Sequence, residues 1–296
     1  MFSFHKNHSQ LECLINNYLI APNELGVNLV YNEISNYIDS GGATKINAGF
    51  ISNLKEPFKS LLQQNFKNVT TVAIDFPIYF KSKIETKKTI MVCAMDSFPP
   101  IPNSSYWNDK NFDFKKNIGF WAPFSLIDNW HAPVGSMKTN IPFFRVLLEE
   151  YNLYITDVYK VFFRLENDGQ LVNSNTISDY TEIKNQEGTN IHGYLLSNEI
   201  QIIEPDAIVT LGNSARNKLL HINYLINNVE QQSKGWSNEP QMYKWKNSIP
   251  IIAIPHISGA ANGAKSAILN NSNYSNITGN YQNERLAKII KLKINE

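Results

Sequence analysis

"AIVTLGNSARNKLL", residues 207–220, changes character at its centre. The first six residues, "AIVTLG" (207–212), form a short, continuous apolar run of the kind a strand needs when both of its faces are buried. Gly212 then supplies a turn, and Asn213 or Ser214 supplies a cap for the helical pattern that follows. Strand, glycine turn and helix in direct succession is the repeating unit of a parallel α/β sheet.

Three more runs of the same kind flank this unit: "TIMVCAM" (89–95), "LYITDVY" (153–159) and "IIAIPH" (251–256). Helical patterns lie between them at "IPFFRVLLEEYN" (141–152) and "LLSNEIQIIEP" (195–205), and a last helix is expected at 283–293. Strands alternating with helices imply right-handed crossovers. The expected fold is therefore α/β, three layers (α/β/α) with a central four-stranded parallel sheet. Ahead of it, helix candidates at 9–20, 26–38 and 56–66 suggest a mainly helical N-terminal extension, 1–86, packed on a core domain, 87–296.

Composition bounds the function. Apolar residues make up 43% of 296, enough for a sizeable core, and the net charge is +1. That balance gives no global attraction to nucleic acid, so any such contact must be local. Lys81, Lys83, Lys87 and Lys88 precede the first run, Lys110, Lys115 and Lys116 follow it, and Lys138 and Lys265 lie nearer the run ends. A solvated face is the ordinary reading of such lysines. Cys13 and Cys93 match no metal or redox spacing, and Cys93 reads as a reduced core thiol. No stretch is long enough to span a bilayer, and "MFSFHKNHSQ" lacks a signal-peptide pattern. The expectation is a soluble cytoplasmic monomer with no membrane partner and no metal.

In parallel sheets, ligands bind beyond the carboxyl ends of the strands. The informative residues are those where each run stops: Met95-Asp96-Ser97-Phe98, Thr156-Asp157, Gly212-Asn213-Ser214 and His256-Ile257-Ser258. Two carboxylates and an imidazole could share one rim.

In the order "CAMDSFP" (93–99), "GFWAPFS" (119–125), "LYITDVYKV" (153–161), "IEPDAIVTLGNSA" (203–215) and "IPHISGAANG" (254–263), the chain resembles the uracil-DNA glycosylase superfamily over roughly residues 88–293. The resemblance implies a DNA glycosylase that flips a base out of the strand and hydrolyses its N-glycosidic bond, with no cofactor beyond water. It assigns Asp96 to the water and the cationic sugar, and His256 to the oxygen of the leaving base. Phe124, with Phe120 as second candidate, would stack on the base. Phe98 would wall its 5-position, the Met95 amide would meet its O2, and Asn213 would lie at the substrate. Ser258, Gly259, Ala260, Asn262, Gly263 and Lys265 would face the DNA backbone, the small residues letting it come close.

Four departures qualify this. Ala94 stands where the family has Gly, and Ile257 where it has Pro. The cysteines of the iron–sulfur branches are absent, so no cluster is expected. Asp157 stands where the family reads uracil with Asn. An ionised Asp only accepts hydrogen bonds. It suits the amino group of cytosine, while N3 requires a shared proton. The expected substrate is then cytosine, a modified cytosine or another altered base, in single- or double-stranded DNA. A modified base from foreign DNA would make the role defence instead of repair. Asp157 pointing away from the base, or a protonated Asp157 still reading uracil, are the alternatives. A nucleic-acid-binding member without catalysis, and a nucleoside or nucleotide N-glycosidase, remain as competing functions. Polar insertions at 102–118 and 164–192 have no role legible from sequence.

Overall fold

The computed structural model describes residues 3–19, 27–43, 50–51, 69–75, 77–85, 88–95, 118–121, 130–167, 170–173 and 191–296. In chain order these hold α1 (His8–Tyr18), α2 (Val27–Asp39), β1 (Phe50–Ile51), β2 (Val69–Asp75), β3 (Ile78–Phe80), β4 (Thr89–Ala94) and β5 (Ile118–Trp121). Then come α3 (Met137–Leu147), β6 (Asn152–Asp157), β7 (Val161–Asn167), β8 (Gln170–Asn173), α4 (Ile191–Ile203), β9 (Ala207–Leu211) and α5 (Gly212–Asn227). The last are β10 (Gln241–Trp245), β11 (Ile249–Ile254), α6 (Asn262–Leu269) and α7 (Gln282–Asn295).

The four expected runs are β4, β6, β9 and β11, and they are mutually parallel. They do not form the whole sheet. The sheet is mixed and six-stranded, in the order β10-β11-β9-β4-β6-β3, with antiparallel strands at both edges. The four-stranded expectation is corrected on this point. β3, "IYF", buries Ile78 and Phe80 but is only three residues long, and β10 lacks the continuous apolar run that marks a central strand. In β10, "QMYKW", only the end residues are buried. Its hairpin to β11 turns on Lys246 and Asn247, both at left-handed φ (50° and 62°). Such turns usually announce themselves with glycine, and this one has none.

Side chains of the central strands alternate between two cores. Ile90, Val92, Ile155, Val209 and Ile252 pack beneath α2, α3, α6 and α7. Met91, Cys93, Tyr154, Ile208 and Ile251 pack beneath α4 and α5. Burial on both faces is why these strands read as unbroken apolar sequence. Helix α3 begins four residues before the expected helix and carries Pro142 inside it.

Residues before 86 contribute α1 and α2, as expected, but also strands. β3 pairs with β6 in the main sheet, so pairing crosses the expected boundary. The helix candidate at 56–66 lies outside the described residues. β2 belongs to a second sheet, in the order β1-β5-β2-β7-β8, which includes part of the 164–192 insertion. The chain leaves one sheet for the other twice at one corner, between β2 and β3 and between β6 and β7. There the Asp75 N–H donates to the Lys160 carbonyl at 2.9 Å.

Candidate active site

The connection from β4 to β6 lies on one side of β4, and that from β6 to β9 returns to the other. This reversal falls between β4 and β9, and in an open α/β sheet the usual ligand position lies beyond the carboxyl ends of the strands at such a point. Met95, at the end of β4, is part-buried. Its carbonyl accepts the Tyr159 N–H at 3.0 Å, and the Ala94 carbonyl accepts the Val158 N–H at 2.9 Å. Asp157 lies directly opposite Ala94 and is 0% exposed. On the far side of β4, β9 ends at Leu211, about 10 Å from Asp157 by two strand spacings, and Gly212 follows it.

Gly212 brings two rim residues together. Its φ is +91°, and a methyl group there would lie 3.2 Å from the His256 Cβ. The missing side chain lets the imidazole rest against the start of α5, where Asn213 and Ser214 are exposed. Gly212→Ala is expected to cost about 1–3 kcal/mol from backbone strain and to push His256 off this contact. Thermal denaturation and a base-release assay together check this, and unchanged stability would refute it.

The sequence "PHIS" also sets the protonation of the ring. His256 Nδ1 accepts the Ser258 backbone N–H at 3.1 Å and lies 2.8 Å from the Ser258 hydroxyl. A nitrogen that accepts from a backbone N–H has its lone pair available, so the neutral ring carries its proton on Nε2. Burial, then the Lys265 ammonium, holds the His256 pKa below the ordinary 6.5. At neutral pH the ring is therefore an uncharged Nε2–H donor.

The loop after His256 is supported from below. Ser258 is part-buried, and Gly259, Ala260, Asn262 and Gly263 are exposed around a short 3-10 turn and the start of α6. Lys265 does not join them on the surface. It is 3% exposed, and its ammonium donates to the carbonyls of Ile257 (3.2 Å) and Ser258 (3.0 Å) and to Asn283 Oδ1 (3.2 Å). The expected DNA-facing lysine is thus a strut, because a helix turn places it under the loop instead of over it. The Asn283 amide donates in turn to the Ile257 carbonyl, to Asn140 Oδ1 and to the Thr139 carbonyl, tying the loop to α3. Asn283 was not legible in sequence as a site residue; nothing local marks it.

Of the other expected residues, Phe120 lies on β5 opposite Ile74, one position from Trp121, which pairs with Asp75. Asp75 reaches Asp157, since its Oδ2 accepts the Asp157 N–H at 3.2 Å. The end of β5 therefore pairs with the residue that holds the Asp157 backbone. Asp96, Phe98 and Phe124 lie outside the described residues, as does most of the 102–118 insertion. Among the described residues, no helix is long and apolar enough to cross a membrane. No protein-family model matches the chain, and no curated protein sequence matches it.

Proposed function

We propose that the chain is a DNA glycosylase that hydrolyses the N-glycosidic bond of a flipped-out pyrimidine, with a modified cytosine favoured over plain uracil. The observation that supports this reading is a neutral imidazole, held as an Nε2–H donor after β11, at the carboxyl end of the same parallel sheet as a buried Asp at the end of β6. Heterolysis of the bond leaves its electron pair on the base and a positive charge on the sugar. Water adds to the sugar carbon and loses a proton, and the base gains one. His256 is assigned the hydrogen bond to the base oxygen on which negative charge develops. Asp96, next after Met95, is assigned the water and the sugar cation. Asp157 is assigned the exocyclic amino group. Because Asp157 is fully buried, the base must enter a pocket that opens at this end of the sheet.

The loop at 258–263 is assigned to the DNA backbone through its amides and the Ser258 hydroxyl. Lys265 contributes no surface charge there. That observation favours a second reading, hydrolysis of a free nucleoside, which needs no phosphate grip. Both are tested by incubating the full chain with oligonucleotides carrying uracil, cytosine or 5-substituted cytosines, single- and double-stranded, and with the matching nucleosides. Alkali-labile abasic sites at a substituted cytosine, formed faster than at uracil, are the expected result. Activity on uracil alone would remove the cytosine assignment. Base release from nucleosides alone would replace the reading with the second one, and no release from any substrate would end both.

A further inference from the structure

At the corner where the two sheets meet, four polar side chains from three segments, β2, the end of β6 and α4, form a cluster. The Lys160 ammonium donates to Asp75 Oδ2 (2.7 Å), Glu199 Oε2 (2.8 Å) and Thr156 Oγ1 (2.5 Å). The Thr156 hydroxyl lies 2.6 Å from Asp75 Oδ2 and 3.1 Å from Glu199 Oε2. The backbone of Lys160 is held as well, its N–H donating to His192 Nδ1 at 3.1 Å. Exposures are 2% for Asp75, 0% for Thr156, 1% for Lys160 and 3% for Glu199. Two carboxylates share one ammonium. Burial lowers the Lys160 pKa, but Asp75 and then Glu199 more than offset this, so it stays charged. Burial raises that of Glu199 more than Lys160 lowers it.

Such a cluster is a poor device for stability. Taking ions out of water costs about as much as their attraction returns, and apolar replacements of similar volume are often neutral or stabilising. What it provides here is geometry. Asp75 Oδ2 is the common acceptor of Lys160, Thr156 and the Asp157 backbone N–H. Lys160 in turn fixes that oxygen against α4 through Glu199. We infer that Asp75, Lys160 and Glu199 are positioning residues, a buried ionic clamp that sets the orientation of Asp157 and thereby the choice of base. This rests on the glycosylase reading for its consequence, though not for its geometry. The clamp joins α4, β2 and the β6 end, so the second sheet becomes part of the specificity apparatus without touching the base.

The test replaces the clamp with apolar groups in the full chain: Asp75→Leu, Thr156→Val, Lys160→Met and Glu199→Leu together. Its Tm is expected to stay within about 5 °C of the parent. Hydrogen exchange of the 156–160 amides is expected to rise tenfold or more while β4 and β9 stay protected. The ratio of base release between substituted cytosine and uracil should fall at least tenfold. A paired comparison avoids dependence on that variant folding: Asp75→Asn keeps an oxygen for the Asp157 N–H and should keep the ratio within threefold, whereas Asp75→Leu should lose it. Unchanged exchange at 156–160 in a folded clamp-free chain, or equal effects of Asp75→Asn and Asp75→Leu, overturns the inference. The exchange measurement decides this even if the parent chain releases no base, an outcome that would count against the glycosylase reading alone.

Discussion

Asp157→Asn is expected to turn base preference toward uracil, changing the uracil-to-cytosine ratio of kcat/KM by roughly 10²–10⁴-fold. The substitution exchanges one oxygen for an amino group at constant shape. A carboxylate presents acceptors only, whereas an amide presents one acceptor and one donor. Uracil offers N3–H and O4 and so needs one of each, while cytosine offers the N4 amino group and N3. Because Asp157 is buried, a mismatched pair there leaves groups that water cannot satisfy, which is the condition for large discrimination. Its backbone N–H is held by Asp75, so the variant side chain starts from the same place. Competition between uracil- and cytosine-bearing oligonucleotides measures the ratio, and equal ratios in parent and variant would show that Asp157 does not read the base.

On the proposed glycosylase reading, His256→Ala is expected to lower kcat by about 10²–10³-fold with little change in DNA affinity, because the hydrogen bond assigned to it would matter most once charge has developed on the base. The same residue sets an acid limit. Its folded-state pKa lies below 6.5, held down first by burial and then by Lys265. The unfolded chain therefore takes up a proton before the folded one does as pH falls, so this group destabilises the fold progressively from about pH 6.5 downward and has no effect on stability well above it. Protonation of Nδ1 also removes the acceptor for the Ser258 N–H, one of the supports of the loop beside those from Lys265 and Asn283. Activity should be flat through neutrality and fall below pH 6.5 with a single ionisation that Ser258→Ala alters. A profile unchanged in His256→Ala, or a loss of DNA binding equal to the loss of rate, would contradict this role.

The carboxyl ends of the central strands were readable because two-sided burial is readable. The runs 89–95, 153–159, 207–212 and 251–256 overlap strands packed on both faces, and two-sided burial writes itself into sequence as unbroken apolar residues. Where such a run meets a polar or glycine residue, the sheet edge has been reached. Asp157, Gly212 and His256 follow from that rule alone, and the Gly212–His256 contact gives the positional reason for the small residue.

The edge strands β3 and β10 and the second sheet were not readable. Their pairing rests on backbone groups that every residue carries, and β10 buries only its ends. Nor could spacing show that Lys265 turns inward, or that Asp75 and Glu199 meet Lys160 across 85 and 39 residues of chain. Sequence by itself determined the parallel core and its rim, because burial and periodicity are local properties of a segment. The tertiary structure alone decided which charges are compensated and what steadies Asp157, because charge and hydrogen-bond pairing depend on distance in space and not on separation along the chain.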